Sequence, residues 1–317
     1  MTCIKADGAR SGQAGAGSTP RRRDAVIKTI LVPATDPAAD AAVFATALTI
    51  ARAFAAHLDA LHVQLDPLEA ALAMSAADGT GSATILDSLV AELEQNAMAR
   101  AANARAVFTA LCEREALAIA ANPAQAGREA SAQWHVETGQ EARWLTVYGM
   151  TADLIVAARR RTAGDEAAAR FILETLLLET GRPLLVPAAT PLAAMPERVA
   201  IAWKPTPQAA RAVVCAGPFL ARAKEIVVIT VEEEGRRSRD DADRLMRYLA
   251  WHGKGAVAAP VSPGARGGAA ALLAAASPRA DLLVMGGYGH TRLREWVFGG
   301  FTQHVLAEAP LPILIVH

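Results

Sequence analysis

The feature that most constrains this chain is an internal repeat. Ile30-Leu31-Val32 is a short apolar run that breaks into Pro33-Ala34-Thr35-Asp36-Pro37. An Ala-rich helical pattern follows from Asp40 to about His57, then a second apolar run at Leu58–Val63. The same series begins again at Arg198. Val199-Ala200-Ile201-Ala202 ends in Trp203-Lys204-Pro205, a helical pattern runs from about Pro207 to Ala223, and Ile226–Ile229 is apolar. The ends of the two units also agree. Asp153-Leu154-Ile155-Val156-Ala157 matches Asp281-Leu282-Leu283-Val284-Met285. Each leads through a loop and a helix to a closing strand introduced by Pro, at Pro183-Leu184-Leu185-Val186 and Pro312-Ile313-Leu314-Ile315-Val316. Agreement in order between separated blocks marks a duplicated supersecondary unit.

Continuous apolar runs of this length fit strands buried on both faces, and the helical patterns between them supply the cover. The fold class is therefore α/β, with parallel strands joined by right-handed crossovers and helices on both faces of the sheet. A long helix is expected from about Thr84 to Leu117, where Leu86, Leu89, Val90, Leu93, Ala97, Phe108 and Leu111 recur at helical spacing. Ser75–Ser82 reads as a loop. The uncharged, Pro-bearing stretch 188–196 reads as a linker. Expected domains are a disordered tail at 1–24, rich in Gly, Ser, Ala and Arg, an N-terminal domain at 25–189 and a C-terminal domain at 190–317.

Composition excludes several functions. Lys and Arg number 32, as do Asp and Glu, so there is no basic excess of the kind nucleic-acid binders carry. Cys3, Cys112 and Cys215 are odd in number and widely spaced, which argues against a disulfide frame or a zinc site and fits a reducing compartment. No apolar run reaches membrane-spanning length; the most apolar helical pattern carries Arg52 inside it. With no apolar leader at the N-terminus, the expected location is cytoplasmic. No GxSxG elbow, HExxH pair or Walker loop is present, so no catalytic set and no metal ligands are assigned.

The informative segment is Met285-Gly286-Gly287-Tyr288-Gly289-His290-Thr291-Arg292-Leu293-Arg294-Glu295-Trp296-Val297-Phe298-Gly299-Gly300-Phe301-Thr302. It leaves a buried strand and enters a helical pattern at Phe301–Ala307. In an open parallel sheet, ligands sit at the carboxyl ends of strands. Glycines there let the backbone approach a phosphate, and the following helix adds free N–H donors and a favourable dipole. The same glycines also supply turn geometry without any ligand.

The spacing Gly286-x2-Gly289-x9-Gly299 resembles the Gly-x2-Gly-x9-Gly-Ser/Thr signature of ATP-binding universal stress proteins. The flanking Asp281–Gly286 and Ala309–Val316 also look like that family, and the resemblance extends over roughly residues 26 to 317. It implies two tandem five-stranded parallel-sheet domains of the adenine nucleotide alpha hydrolase-like, Rossmann-like fold. It also implies an ATP or related adenine nucleotide site, with Mg²⁺ as a companion ion, in the C-terminal half. By motif the phosphate positions are Gly286, Gly289, Gly299 and Gly300, and His290, Phe301 and Lys204 join them as candidate ligand residues. Family dimers pair their last strands, so the resemblance implies an intramolecular pseudo-dimer through Leu184–Val186 and Ile313–Val316, and allows a homodimer as well. No nucleic acid or membrane partner is implied.

Two departures from the family pattern matter. Gly300 stands where the signature has a hydroxyl, which removes a hydrogen bond to a charged group worth about 1.5–3 kcal/mol. Lys204 stands where the family has an Asp that holds the nucleoside. The first half shows the converse defect. Asp36 lies at or within one residue of the acidic position, but Ala158 and Arg161 replace the two glycines in Ala157-Ala158-Arg159-Arg160-Arg161. A degenerate, structural copy is expected there, with Arg159–Arg161 a solvated loop charge or an anion contact. Three functions remain open: ligand-dependent conformation or partner binding in a stress response, a slow ATPase or self-phosphorylating enzyme using Thr291 or Thr302, and a scaffold that no longer binds nucleotide.

Overall fold

A computed structural model describes residues 27–34, 37–78, 83–159, 166–232, 238–287 and 300–317. The first unit runs β1 (Thr29–Pro33), α1 (Pro37–Phe54), β2 (His57–Gln64), α2 (Pro67–Asp78), α3 (Ala83–Arg114), β3 (Ala118–Ile119), α4 (Pro123–Ala126), β4 (Ser131–Thr138), α5 (Glu141–Gly149), β5 (Leu154–Val156), α6 (Glu166–Glu179) and β6 (Leu184–Val186). The second runs β7 (Arg198–Ala202), α7 (Pro207–Cys215), α8 (Gly217–Arg222), β8 (Glu225–Val231), α9 (Ser238–Trp251), β9 (Val257–Val261), α10 (Gly267–Ala276), β10 (Leu282–Gly286), α11 (Gly300–Glu308) and β11 (Ile313–Val316).

Both units wind the same way. The described strands form one sheet in the order β3-β4-β2-β1-β5-β6-β11-β10-β7-β8-β9. In each unit the first strand is central, with the second on one side and the penultimate on the other. All pairings within a unit are parallel. Where five strands per half were expected, the first unit has a sixth, the two-residue β3 beside β4.

The units meet at an antiparallel seam, with Ile313 opposite Val186, Leu314 opposite Leu185 and Ile315 opposite Leu184. Every residue of β6 and β11 is buried, as continuous apolar runs require. The seam also removes two sheet edges that would otherwise be open to intermolecular pairing.

Apolar layers on the two faces of the sheet both cross the seam. One holds Val43, Phe44 and Phe108 with Phe219, Leu245 and Leu249 under α1, α3, α8 and α9. The other holds Leu145, Leu176 and Leu177 with Leu272, Val305 and Ile315 under α5, α6, α10 and α11. Burying one such side chain is worth about 1.5–3 kcal/mol. The helical pattern read from Pro207 to Ala223 divides at Ala216, because Pro218 has no N–H to continue the ladder. The helix expected at Thr84–Leu117 forms as α3, and α2, which its periodicity did not disclose, packs against it. The tail and Asp36 lie outside the described residues; of the loop expected at Ser75–Ser82, Ser75–Asp78 instead belongs to α2, and 79–82 lie outside the described residues.

Candidate functional site

In the second unit the winding reverses between β7 and β10, and a doubly wound sheet opens a crevice at the carboxyl ends of such a pair. The register sets Met285 beside Ala202, which brings Gly286 level with the turn at Trp203 and Lys204. The turn tightens through Thr206 N–H donating to the Lys204 carbonyl at 2.7 Å. Helix α7 then starts at Pro207, and the Thr206 hydroxyl accepts from Ala209 N–H at 3.2 Å. Thr-Pro at Ncap and N1 is a strong helix start.

This helix start presses onto Gly286. A Cβ placed there would meet the Ala209 backbone nitrogen and lie 2.7 Å from the Gln208 carbonyl carbon. Gly286 is thus a close-approach glycine between a strand end and a helix N-terminus. The next residue, Gly287, donates its N–H to the Val316 carbonyl at 2.7 Å, and a Cβ there would stand 3.1 Å from both Ile315 and Leu177. Gly300, the first residue of α11, is different: it is exposed, and among the described residues nothing lies within 4 Å of where its Cβ would be. Phe301 is 41% exposed, with its ring edge over the start of α10 at Gly268.

Gly286, Lys204, Gly300 and Phe301 therefore come to the carboxyl end of one half-sheet, at the end of β10, in the turn after β7 and at the start of α11. Gly289, His290 and Gly299 lie outside the described residues, as does Thr291. Thr302 is 6% exposed in the first turn of α11, too buried to meet a phosphate without opening that turn. Trp203 donates its indole N–H to the Asp241 carbonyl at 3.0 Å, so that group is already engaged.

Sequence reasoning missed Thr230. It is the penultimate residue of β8, next to Trp203, whose N–H bonds to the Ile229 carbonyl at 2.8 Å. Thr230 is 3% exposed, yet its hydroxyl has no hydrogen-bond partner among the described residues. A buried orphan of this kind costs about 1–3 kcal/mol, which a polar ligand atom would recover. A lone β-branched residue at a strand end gives no signal of this in the sequence. Thr206-Pro207, in contrast, was legible as a helix start.

The first unit fills the matching space with its own side chains. Counting along the paired strands, Ala34, His62 and Trp134 hold the places of Trp203, Thr230 and Ala258. His62 donates Nδ1–H to the Ala34 carbonyl at 2.6 Å and stacks on Trp134, with ring centres 6.0 Å apart. Trp134 meets Phe108, and Phe108 meets Phe44. Ala158 stands in for Gly286. Arg159 is not the solvated charge expected of it. Half-buried, it donates to the carbonyls of Ala307 at 3.2 Å and Ala309 at 2.8 Å, at the far end of α11.

A second polar group lies under α5. Asp59 receives His135 Nε2 at 2.8 Å and has His57 Nε2 at 3.5 Å, and the Ser131 hydroxyl is 2.8 Å from His57 Nδ1. Burial raises the Asp59 pKa, but the two imidazoles outweigh it and bring the carboxyl down to about 2. Tyr148 donates to Glu137 at 2.7 Å, and burial together with that carboxylate pushes the phenol up to about 12. Among the described residues no group of three or more His, Cys, Asp or Glu is arranged to hold a metal ion. No described helix is long and apolar enough to cross a membrane.

The fold defines an α/β protein of the doubly wound type, with its switch point between β7 and β10. Residues 195–317 match the universal stress protein family and form a domain of it. The whole chain is similar in fold to a universal stress protein from Archaeoglobus fulgidus DSM 4304. That likeness has a TM-score of 0.60 and 16% identity over 91% of this chain and 95% of that one. A functionally unknown protein from Pseudomonas aeruginosa PAO1 follows at TM-score 0.50, 15% identity and 92% of each chain. A putative universal stress protein from Pseudomonas aeruginosa UCBPP-PA14 is similar at TM-score 0.50 and 14% identity, over 92% of this chain and 93% of that one. No curated protein matches the chain.

Proposed function

We propose that the chain is a tandem universal stress protein whose C-terminal half, residues 190–317, binds an adenine nucleotide, with ATP accompanied by Mg²⁺ the first candidate. The output is a ligand-dependent conformation or partner contact in a stress response, and the N-terminal half, 25–189, is a structural copy. The observation that carries this reading is the contrast between the two crevices. The family match falls on the half that keeps the glycine loop. There, Gly286 admits the α7 backbone. The first half has Ala158, Arg159 and a His62–Trp134 stack in the corresponding places.

In this reading Gly286, Gly289, Gly299 and Gly300 line the phosphates, with His290, Phe301 and Lys204 around them. The two units form a pseudo-dimer across the β6–β11 seam. Isothermal calorimetry with ATP and Mg²⁺ on the full chain tests the proposal, together with mass spectrometry of ligand released by denaturing protein purified without added nucleotide. Saturable heat or a co-purified adenine nucleotide supports it. Absence of heat and of a thermal shift at millimolar ATP would sink it and leave the scaffold reading.

A further inference from the structure

We infer that Arg159, just after β5, has become a clamp on the ligand-bearing helix: it fixes the C-terminal end of α11 and so sets the order of its N-terminal turn. The inference deepens the proposed function, since it rests on that turn facing the ligand. Its structural half, the ordering of α11, stands on its own.

The repeat locates the change. Ala158 and Arg159 occupy the places of Gly286 and Gly287, and Ala307 and Ala309 occupy those of Leu178 and Thr180. Across the seam in one direction, a Cβ at Gly287 would stand 3.1 Å from the side chain of Leu177 on α6. In the other direction Arg159 reaches the last turn of α11 and engages two carbonyls with two different nitrogens of its guanidinium. Two copies of one chain would make this contact alike on both sides. Here the matching place in the second loop, residue 287, is a glycine.

The physics of a short helix gives the contact its consequence. Helix α11 has nine residues and buries Thr302, Val305 and Leu306 along one stripe, while Gln303 and His304 face outward. At that length a helix is not stable on its own, so its ends matter. The carbonyls of a last turn have no intrahelical partner, and a cation there also favours the helix dipole. An anion at the N-terminus, about 13 Å away, favours the same dipole and the same ordered state. Two groups that both select one state of a shared element are positively coupled. Arg159 thereby carries the first half into the ligand equilibrium of the second.

Hydrogen exchange followed by mass spectrometry on the full chain without ligand tests the clamp in wild type, Arg159→Ala and Arg159→Lys. In Arg159→Ala, amides of residues 300–306 should exchange roughly fivefold faster or more, with Arg159→Lys intermediate and β8 amides unchanged. Affinity for ATP with Mg²⁺ should fall about threefold or more in the same variant. Unchanged exchange at 300–306, or an equal acceleration in β8, would overturn the clamp. Faster exchange at 300–306 with unaltered ATP affinity would overturn its link to the ligand. If wild type binds no ATP, the nucleotide reading fails by itself, and the exchange data still decide whether Arg159 orders α11.

Discussion

The carboxylate of Asp281 holds Arg198 twice: one oxygen accepts the Arg198 backbone N–H at 3.0 Å, and the other receives its guanidinium at 2.6 Å. Asp153 does the backbone part of this for the first unit, accepting from Lys28 N–H at 2.8 Å and Thr29 N–H at 3.0 Å. In both units an acid just before the penultimate strand ties down the start of the first strand, which is its sheet neighbour. Removing either carboxylate strands N–H groups that open β1 or β7. Asp281→Ala and Asp153→Ala should each lower the unfolding free energy by about 1–3 kcal/mol. Urea denaturation at neutral pH measures this, and a loss below about 0.5 kcal/mol in both would refute the tether.

The Asp59 cluster makes a pH-dependent contribution. Its carboxyl is lowered from 3.8 to about 2 in the folded protein. A depressed folded-state pKa gives stability that is fully present above the unfolded value and is lost as pH falls through the folded one. The window is therefore from about 4 down to about 2, and the shift corresponds to about 2 kcal/mol. The stability difference between wild type and Asp59→Asn should shrink by that order across this window. Urea midpoints of both proteins at matched pH values test it; a constant difference down to pH 2 would show that the cluster does not stabilise through ionised Asp59.

Much of the architecture was legible because it depends on patterns that span many residues. The apolar runs at Leu184–Val186 and Ile313–Val316, each introduced by a Pro, read as buried strands, and they are. Their pairing followed from family resemblance rather than from local pattern, since nothing in either run names its partner. Other features depend on single contacts between distant residues and were not legible. Arg159 looks like any loop arginine until the fold brings Ala307 and Ala309 to it. Thr230 is one β-branched residue among several in β8, and only its neighbours make its hydroxyl an orphan. Gly286 was read for its phosphate, whereas the structure gives it a second duty against the backbone of α7.

That duty predicts a substitution with two effects. In Gly286→Ala the new methyl would meet the Ala209 nitrogen and lie 2.9 Å from the Ala209 Cα, and a backbone cannot rotate away as a side chain can. The start of α7 must shift, and overpacking of this kind costs about 1–3 kcal/mol. The thermal midpoint should fall, and ATP binding should weaken with it because the crevice floor has moved. Gly287→Ala meets only side-chain tips at 3.1 Å and should be milder. Equal destabilisation by the two, measured by calorimetric melting, would show that the contact with α7 is not what sets the requirement at Gly286.

Gly300 offers the opposite kind of test, in which function should be gained. It begins α11, and none of the described residues comes within 4 Å of the position of a Cβ, so a serine displaces none of them. Serine also restores the hydroxyl of the family signature and lowers the entropic cost that glycine brings to a helix start. A hydroxyl that donates to a phosphate oxygen adds a charge-assisted hydrogen bond of about 1.5–3 kcal/mol. Gly300→Ser should therefore tighten ATP binding by roughly ten- to a hundredfold, since each 1.4 kcal/mol is a factor of ten. Titration calorimetry of the full-length variant against wild type reads this directly. Adenosine serves as the control, because it lacks the phosphates that the hydroxyl would meet. Tighter ATP binding with unchanged adenosine binding places the phosphates at the start of α11. An equal change for both ligands, or none for ATP, would remove Gly300 from the phosphate site.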